Sequence, residues 1–376
     1  MLLSNPATYD VRVLKEASAL SNDGYAVTLL AWDRMKSSPS YSRPSRNFVI
    51  KRLPLKGSFG QSVRTVLGLV IFYAWCILVA RRTKFDVIHC NDVDTLFCGL
   101  VLRPLSGRGT KLVYDMHDLP GEFLSSFPGS KQLIRFVYVV CSKLVDRLEV
   151  VNERFVDYLS HEGIDRGKMV VVMNVPDEPN IERHQRSPDQ FRIIYYGRIG
   201  RSKGVQNLVN ATLGLNDVSL VLAGRGDLVD WVRGIEANNP NVRYLGWLPV
   251  SELREEIDVA DLIPILYKAD SLNAVLAAPN KLFDAIHRGI PVIANGGTYF
   301  SELVLNNECG LVVNVDDPSS IRSAIVKLRD DPQFYQRLAD NCVELAKAKY
   351  SWAITRNNLL SMYSELSSGD SRVPVQ

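Results

Sequence analysis

Paired cysteines, a glycine-rich first loop and a stretch of acidic residues are all missing from places where several protein classes need them. No Cys-x-x-Cys occurs, and Cys76, Cys90, Cys98, Cys141, Cys309 and Cys342 are scattered, several of them inside apolar runs. That is the pattern of small buried hydrophobes in a reducing compartment, not of a disulfide frame or a zinc clasp. The loop after the first apolar strand, residues 4–10 (SNPATYD), has no glycine. A dinucleotide fold of the dehydrogenase type needs Gly-x-Gly-x-x-Gly there so that its backbone can approach a pyrophosphate, so an oxidoreductase reading is disfavoured. No basic-then-apolar-then-small leader opens the chain, and the catalytic parts are expected in the cytoplasm. Low-complexity tracts and short repeats are absent as well.

Acidic residues are absent from residues 34–84, which carry eleven basic side chains, among them Arg43, Arg46, Lys51, Arg52, Arg81 and Arg82. The overall charge of +3 therefore hides a balance of +7 over residues 1–175 and −4 over the remainder. A solvated basic face, nucleic acid and anionic lipid all fit such a stretch. Its aromatic and apolar content favours lipid, so the expected partners include an anionic membrane surface through residues 34–84 and no nucleic acid. Within it, residues 65–80 (TVLGLVIFYAWCILVA) form a 16-residue uncharged run with basic flanks. That falls short of the roughly 20 residues that span a bilayer. A helix packed in the protein, an interfacial helix and a spanning helix stay open, and the expected location is peripheral, at the inner face of the membrane.

What is present is a double α/β pattern. With 376 residues, 46% of them apolar and 23% charged, the chain has room for two cores. Strand and helix signals alternate from Leu2 onward: a helix over residues 10–20 with Val13, Leu14, Ala17 and Leu20 on one face, strands at 26–31, 85–89, 111–114 and 170–173, and a helix around 131–149. Residues 174–190 hold three prolines and no periodicity, and then the alternation restarts. The expected division is an N-terminal domain over 1–175, a linker over 176–190, a C-terminal domain over 191–350, and a C-terminal helix with a tail over 351–376. In such open sheets ligands bind beyond the carboxyl ends of the strands, so two halves imply a cleft lined by those loops.

The loops of the second half carry the chemistry. YYGRIGRSKG, residues 195–204, runs from a strand into a helix, with Arg198 and Lys203 five positions apart. Free N–H groups and two cations at a helix start suit a diphosphate, although a basic surface turn has the same composition. LVLAGRGD, residues 220–227, offers Gly224 and Gly226 for close backbone approach. YLGWLP, residues 244–249, ends a strand in Gly246, Trp247 and Leu248, placed to read a base edge. PNKLFDAIHRGIPVIA, residues 279–294, puts Asn280, Lys281 and Asp284 near a helix start, where a carboxylate is electrostatically comfortable and can accept from a ribose diol. NGGTYFSELV, residues 295–304, adds Glu302.

Together with DVRVLKEASAL, KFDVIHCNDVD, KLVYDMHD and ADLIPIL in the same order, these motifs make the chain resemble a family 4 glycosyltransferase of the subgroup with a PNKLFE-like motif, over residues 5 to about 365. The resemblance implies an α/β fold of GT-B architecture, two Rossmann-like domains with parallel sheets facing each other across a cleft. It implies a retaining, metal-independent transfer from a nucleotide-diphosphate sugar with no other cofactor; the diphosphate site and the basic, apolar segment 34–84 point to a lipid-linked or surface-polysaccharide acceptor, and a UDP-sugar is favoured over a GDP-sugar because no residue pattern selects guanine. Arg198 and Lys203 would hold the diphosphate, Asp284 the ribose, and His117 the donor sugar. Gly197, Gly224, Gly226, Gly246, Trp247, Leu248, Asn280, Lys281 and Glu302 would complete the donor site, with Asp10, Arg12 and Asp118 on the acceptor side. Two departures stand out. Leu276 occupies the position of the family's first motif glutamate, and Ala277-Ala278-Pro279 replaces the usual Gly-Phe-Gly. Members of the family also begin a few residues earlier in the first strand. A catalytically silent binding subunit and a sugar-nucleotide epimerase are the alternative readings.

Overall fold

The computed structural model describes residues 1–8, 10–57, 63–81, 83–107, 109–120, 130–177, 186 and 190–368. Tyr9, Arg82, residues 58–62 of the basic stretch, most of the expected linker and the tail from 369 lie outside that set. The chain divides into two units, one of residues 1–174 with 353–376 and the other of residues 175–352.

The first unit runs β1 (Leu2–Leu3), α1 (Val11–Asn22), β2 (Val27–Trp32), β3 (Tyr41–Ser45), β4 (Phe48–Leu53), α2 (Val63–Ala80), β5 (Val87–Asn91), α3 (Val93–Ser106), β6 (Lys111–Met116), α4 (Ser130–Lys143), β7 (Arg147–Val150), α5 (Glu153–His161) and β8 (Met169–Val171). Its sheet has the order β3-β4-β2-β1-β5-β6-β7-β8, parallel throughout except for β3 on β4. Right-handed crossovers place α2, α3 and α4 on one face, because each moves the chain in the same direction across the sheet, and α1, which moves it back, on the other. Asp10 caps α1 by accepting from the Val13 N–H at 3.3 Å. Leu29, Ala31, Leu112, Tyr114 and Leu148 are fully buried between the layers.

The second unit runs β9 (Phe191–Arg198), α6 (Val205–Thr212), β10 (Val218–Arg225), α7 (Val229–Glu236), β11 (Val242–Gly246), α8 (Val250–Asp258), β12 (Ile263–Ile265), α9 (Leu272–Leu276), α10 (Asn280–Arg288), β13 (Val292–Asn295), α11 (Tyr299–Asn306), β14 (Gly310–Val313), α12 (Pro318–Asp330) and α13 (Pro332–Ala348). Parallel sheets β11-β10-β9 and β12-β13-β14 are joined by a bridge from Ile193 to Leu262. Phe191, Ile193, Tyr195, Leu220, Leu222 and Ile293 form the centre of its core. α14 (Trp352–Ser368) then belongs to the first unit, where Asn358 donates to the Val171 carbonyl at 3.1 Å and Arg147 pairs with Glu365 at 3.1 Å.

Three expectations are corrected. The helix placed over 131–149 ends at Lys143, and residues 147–150 are a fully buried strand instead. Arg147 and Glu149 hid that strand, since charges at buried positions break the apolar signature of a central strand. The inward face of α1 carries Arg12 and Glu16 as well as Val13, Ala17 and Leu20, while Leu14 is only half-buried. The β3–β4 hairpin lies within the basic stretch and was not expected at all. All six cysteines are buried free thiols, and no helix among the described residues is long and apolar enough to cross a membrane.

Candidate donor site in the C-terminal unit

β9 delivers the basic loop. Gly197 sits at φ +104°, Arg198 is the exposed last residue of the strand, a single helical turn holds Arg201–Lys203, and Gly204 at φ +68° starts α6. Left-handed backbone at both glycines lets the chain leave the strand and re-enter a helix within six residues. Gly204 is further confined: a Cβ there would stand 2.7 Å from the Leu266 carbonyl oxygen.

Two ammonium groups converge beside this loop. Lys203 Nζ lies 3.5 Å from the Tyr267 ring centroid, and Lys281 Nζ lies 5.6 Å from the same ring and 3.8 Å from that of Tyr195. Aromatic faces tolerate cations but do not neutralise them. Lys281 is only 5% exposed. Burial first, and then the nearby Lys203, push its pKa down to about 7, with Asp284 pulling the other way. Like charges held together under low exposure are the arrangement that an oligoanion relieves.

Asp284 lies one turn further along α10. Its Oδ2 accepts from the Tyr196 hydroxyl at 2.6 Å, and Arg288, which also bonds Asp258 at 2.5 Å, stands 3.7 Å from Oδ1. The side chain remains partly exposed. It is thus oriented by two donors with acceptor capacity left over. Asn280 is exposed at the first position of α10, and Glu302 is exposed in the first turn of α11, behind a capping box of Thr298 and Ser301.

The remaining glycines divide by cause. A Cβ on Gly224 would meet the Gly197 carbonyl oxygen at 1.8 Å, and one on Gly226 the Ile199 carbonyl oxygen at 2.0 Å. Close approach of β10 to the end of β9 demands both, independently of any ligand. Gly246 at φ +72° has open space around it, next to the exposed Trp247, over which Arg225 lies at 5.0 Å, and the half-buried Leu248. Leu276 is buried at the end of the short α9, and no carboxylate stands at that position.

The N-terminal unit holds the other candidates. His117 follows β6 and is half-buried; burial, and then Arg12, lower its pKa to about 3, so the ring is neutral at any working pH. Asp118 beside it is exposed. Arg12 is buried and ion-paired with Asp115, and Asp10 is occupied in capping α1 and in accepting from Asn5 at 3.0 Å. Lys281, which sequence reasoning left as an additional contact, is the buried cation beside the loop; its tie to Tyr195 is a tertiary contact between residues 86 positions apart.

Two family models match: a glycosyl transferase 4-like domain over residues 8–175 and glycosyl transferases group 1 over residues 190–331. The chain is a GT-B-fold glycosyltransferase. Among curated relatives of this glycosyltransferase, an uncharacterized 41.2 kDa protein in the cps region of Klebsiella pneumoniae is 25% identical over 82% of this chain and 87% of that one. The solved sucrose-phosphate synthase of Thermosynechococcus elongatus superposes with a TM-score of 0.79 at 18% identity, covering 98% of this chain and 99% of that one. HepE of Anabaena, in complex with UDP, gives 0.70 at 16% identity, covering 97% and 99%.

Proposed function

We propose that the glycosyltransferase is a retaining, metal-independent enzyme that moves a sugar from a UDP-sugar to a lipid-linked or surface-polysaccharide acceptor. The observation that carries this reading is the convergence of Lys203 and Lys281 on Tyr267 beside the Arg198 loop. When the anomeric C–O bond breaks, the diphosphate takes the electron pair, and Arg198, Lys203 and Lys281 stabilise the charge that builds there. Asp284 accepts from the ribose hydroxyls, and neutral His117 hydrogen-bonds the donor sugar. Asp118 is the acceptor-side group, while Asp10 and Arg12 support it by holding α1. Structures of the similar HepE with UDP, with UDP and glucose, and with UDP-glucose favour uridine as the base. The name of the Klebsiella relative, from a cps region, favours a surface-glycan acceptor.

Incubation of the purified enzyme with UDP-, GDP- and ADP-sugars tests this through release of the nucleoside diphosphate and the anomeric configuration of the product. Arg198→Ala is expected to lower turnover at least about 100-fold with thermal stability unchanged. Normal turnover in that variant sinks the mechanism, and UDP binding without transfer or hydrolysis identifies a silent binding subunit instead.

A peripheral seat on anionic membrane, at the inner face, belongs to the same proposal. α2, α3 and α4 share one face of the sheet and expose Leu67, Val70, Val101, Leu105, Leu133 and Phe136 to solvent. Arg64, Arg81, Lys84 and Lys143 flank them, and Asp94, beside Arg34, is the one acidic residue in the three helices. Apolar side chains rimmed by cations suit the headgroup region of anionic lipid. Flotation with phosphatidylglycerol vesicles is expected at low salt and to be lost in Leu67→Ser/Phe136→Ser. No flotation, or a stable dimer burying this face, overturns the lipid assignment.

A further inference from the structure

We propose that Glu16, His89 and Glu149 form a structural site for one divalent transition-metal ion, zinc by preference, inside the N-terminal unit and apart from the donor site. The three come from α1, β5 and β7, and one ligand atom of each lies within 4.8 Å of the other two. They are 1%, 1% and 0% exposed. His89 Nδ1 is held by the Tyr363 hydroxyl at 2.8 Å, so Nε2, buried without a hydrogen-bond partner, is the ring atom left to bind an ion.

A second, independent observation points to a ligand. Both carboxylate oxygens of Glu149, Oε2 of Glu16 and Nε2 of His89 are buried without a hydrogen-bond partner. Buried polar atoms in a native core are nearly always satisfied, and a carboxylate with two orphaned oxygens is the costliest exception. Charge leads to the same place. Arg12, a buried cation that acts on both carboxylates, is already paired with Asp115, and these four groups sum to −2 when ionised. A dication cancels that sum and fills the empty coordination of the oxygens in one step. Two protons would cancel the charge too, but Glu149 Oε1 and Oε2, Glu16 Oε2 and His89 Nε2 make no hydrogen bond in this structure, whereas one ion takes all three side chains at once.

The donor set fits the metal class. One imidazole and two carboxylates suit zinc or manganese, whereas magnesium and calcium prefer all-oxygen shells. The Tyr363 hydroxyl, 2.8 Å from His89 Nδ1, steadies the ring from α14. Bound metal would therefore tie α1 to two central strands and, through His89 and Tyr363, to the C-terminal helix. Its role is structural, and donor chemistry in the other unit does not pass through it.

The test uses the full chain, free of any affinity tag and dialysed against EDTA. Titration with zinc chloride is expected to show one ion per chain and to raise the melting temperature by roughly 5–10 °C at saturation. Cobalt(II) on the same protein is expected to give the visible absorption of a four- or five-coordinate nitrogen–oxygen site, a readout that requires no variant to fold. Glu149→Gln and Glu16→Gln, which preserve size, are each expected to weaken zinc at least 100-fold while leaving nucleotide binding unchanged. The proposal is overturned if neither zinc nor manganese binds at one per chain, if both variants bind zinc as the parent does, or if zinc binds without shifting the melt.

Discussion

Proton uptake on donor binding follows from the placement of Lys281. Buried over Tyr195 with a pKa of about 7, its amine is about half protonated at pH 7 in the empty site and about 1% protonated at pH 9. A diphosphate favours the ammonium form, so binding draws a proton onto Lys281 whenever the amine starts neutral. The UDP dissociation constant is then expected to rise about fifty-fold from pH 7 to pH 9, approaching tenfold per unit at the upper end. Above pH 7 the nucleotide's terminal phosphate is already ionised and adds no slope of its own. Calorimetry of UDP binding in two buffers of different ionisation heat reads the same quantity directly: about half a proton taken up at pH 7 and nearly one at pH 8.5. Lys281→Met, with a similar stem and no charge, should bind UDP weakly and lose the slope. The empty enzyme gives a second signature. The folded pKa lies below the 10.5 of the free side chain, so the unfolded state holds the extra proton between pH 7 and pH 10. Stability therefore climbs with pH through that window, by roughly 5 kcal/mol in all, and is lacking below pH 7. A dissociation constant flat from pH 7.5 to 9, with no proton uptake, would refute the reasoning.

Four further outcomes are expected. Asp284→Ala should weaken UDP roughly 10- to 100-fold, the cost of a hydrogen bond to a charged group, but leave binding of a 2′,3′-dideoxy analogue nearly unchanged; equal losses for both ligands would remove Asp284 from the ribose. Gly224→Ala drives a methyl into the Gly197 carbonyl and should cost at least about 3 kcal/mol, or roughly 6–12 °C of melting temperature, whereas Gly246→Ala, with open space, should cost about 1 kcal/mol and act mainly on nucleotide affinity. His117, neutral down to about pH 3, should add no acid limb to the rate between pH 5.5 and 7.5, and a limb that disappears in His117→Gln would contradict that. Lys203→Ala should lose turnover comparably to Arg198→Ala, measured at saturating donor.

How much of this was legible from the chain depends on whether the signal was local. The fold class was, because β-branched runs and glycine or proline punctuation alternate with helical periodicity in both halves, and the basic loop at 195–204 was, because its cations are punctuated by glycines that need a turn. Gly224 was legible as special but not for its reason: only pairing β10 with β9 shows that the Gly197 carbonyl occupies the space of the absent side chain. Residues 147–150 were misread because a charged residue in a strand suggests solvent, whereas Arg147 and Glu149 are inside, and the carboxylate that answers Arg147, that of Glu365, lies 218 positions away. Lys281 is the same case at the candidate donor site, a lysine that looks like a helix-surface cation until Tyr195 and Tyr267 are brought beneath it. The pattern is physical: apolar periodicity is written within a dozen residues, but what makes a buried charge acceptable is supplied by elements tens or hundreds of positions away. Buried ionisable groups are therefore where sequence reasoning should be expected to fail in this protein. Lys281 is a buried amine whose charged form an arriving anion would favour, and Glu149 holds two oxygens without a hydrogen-bond partner.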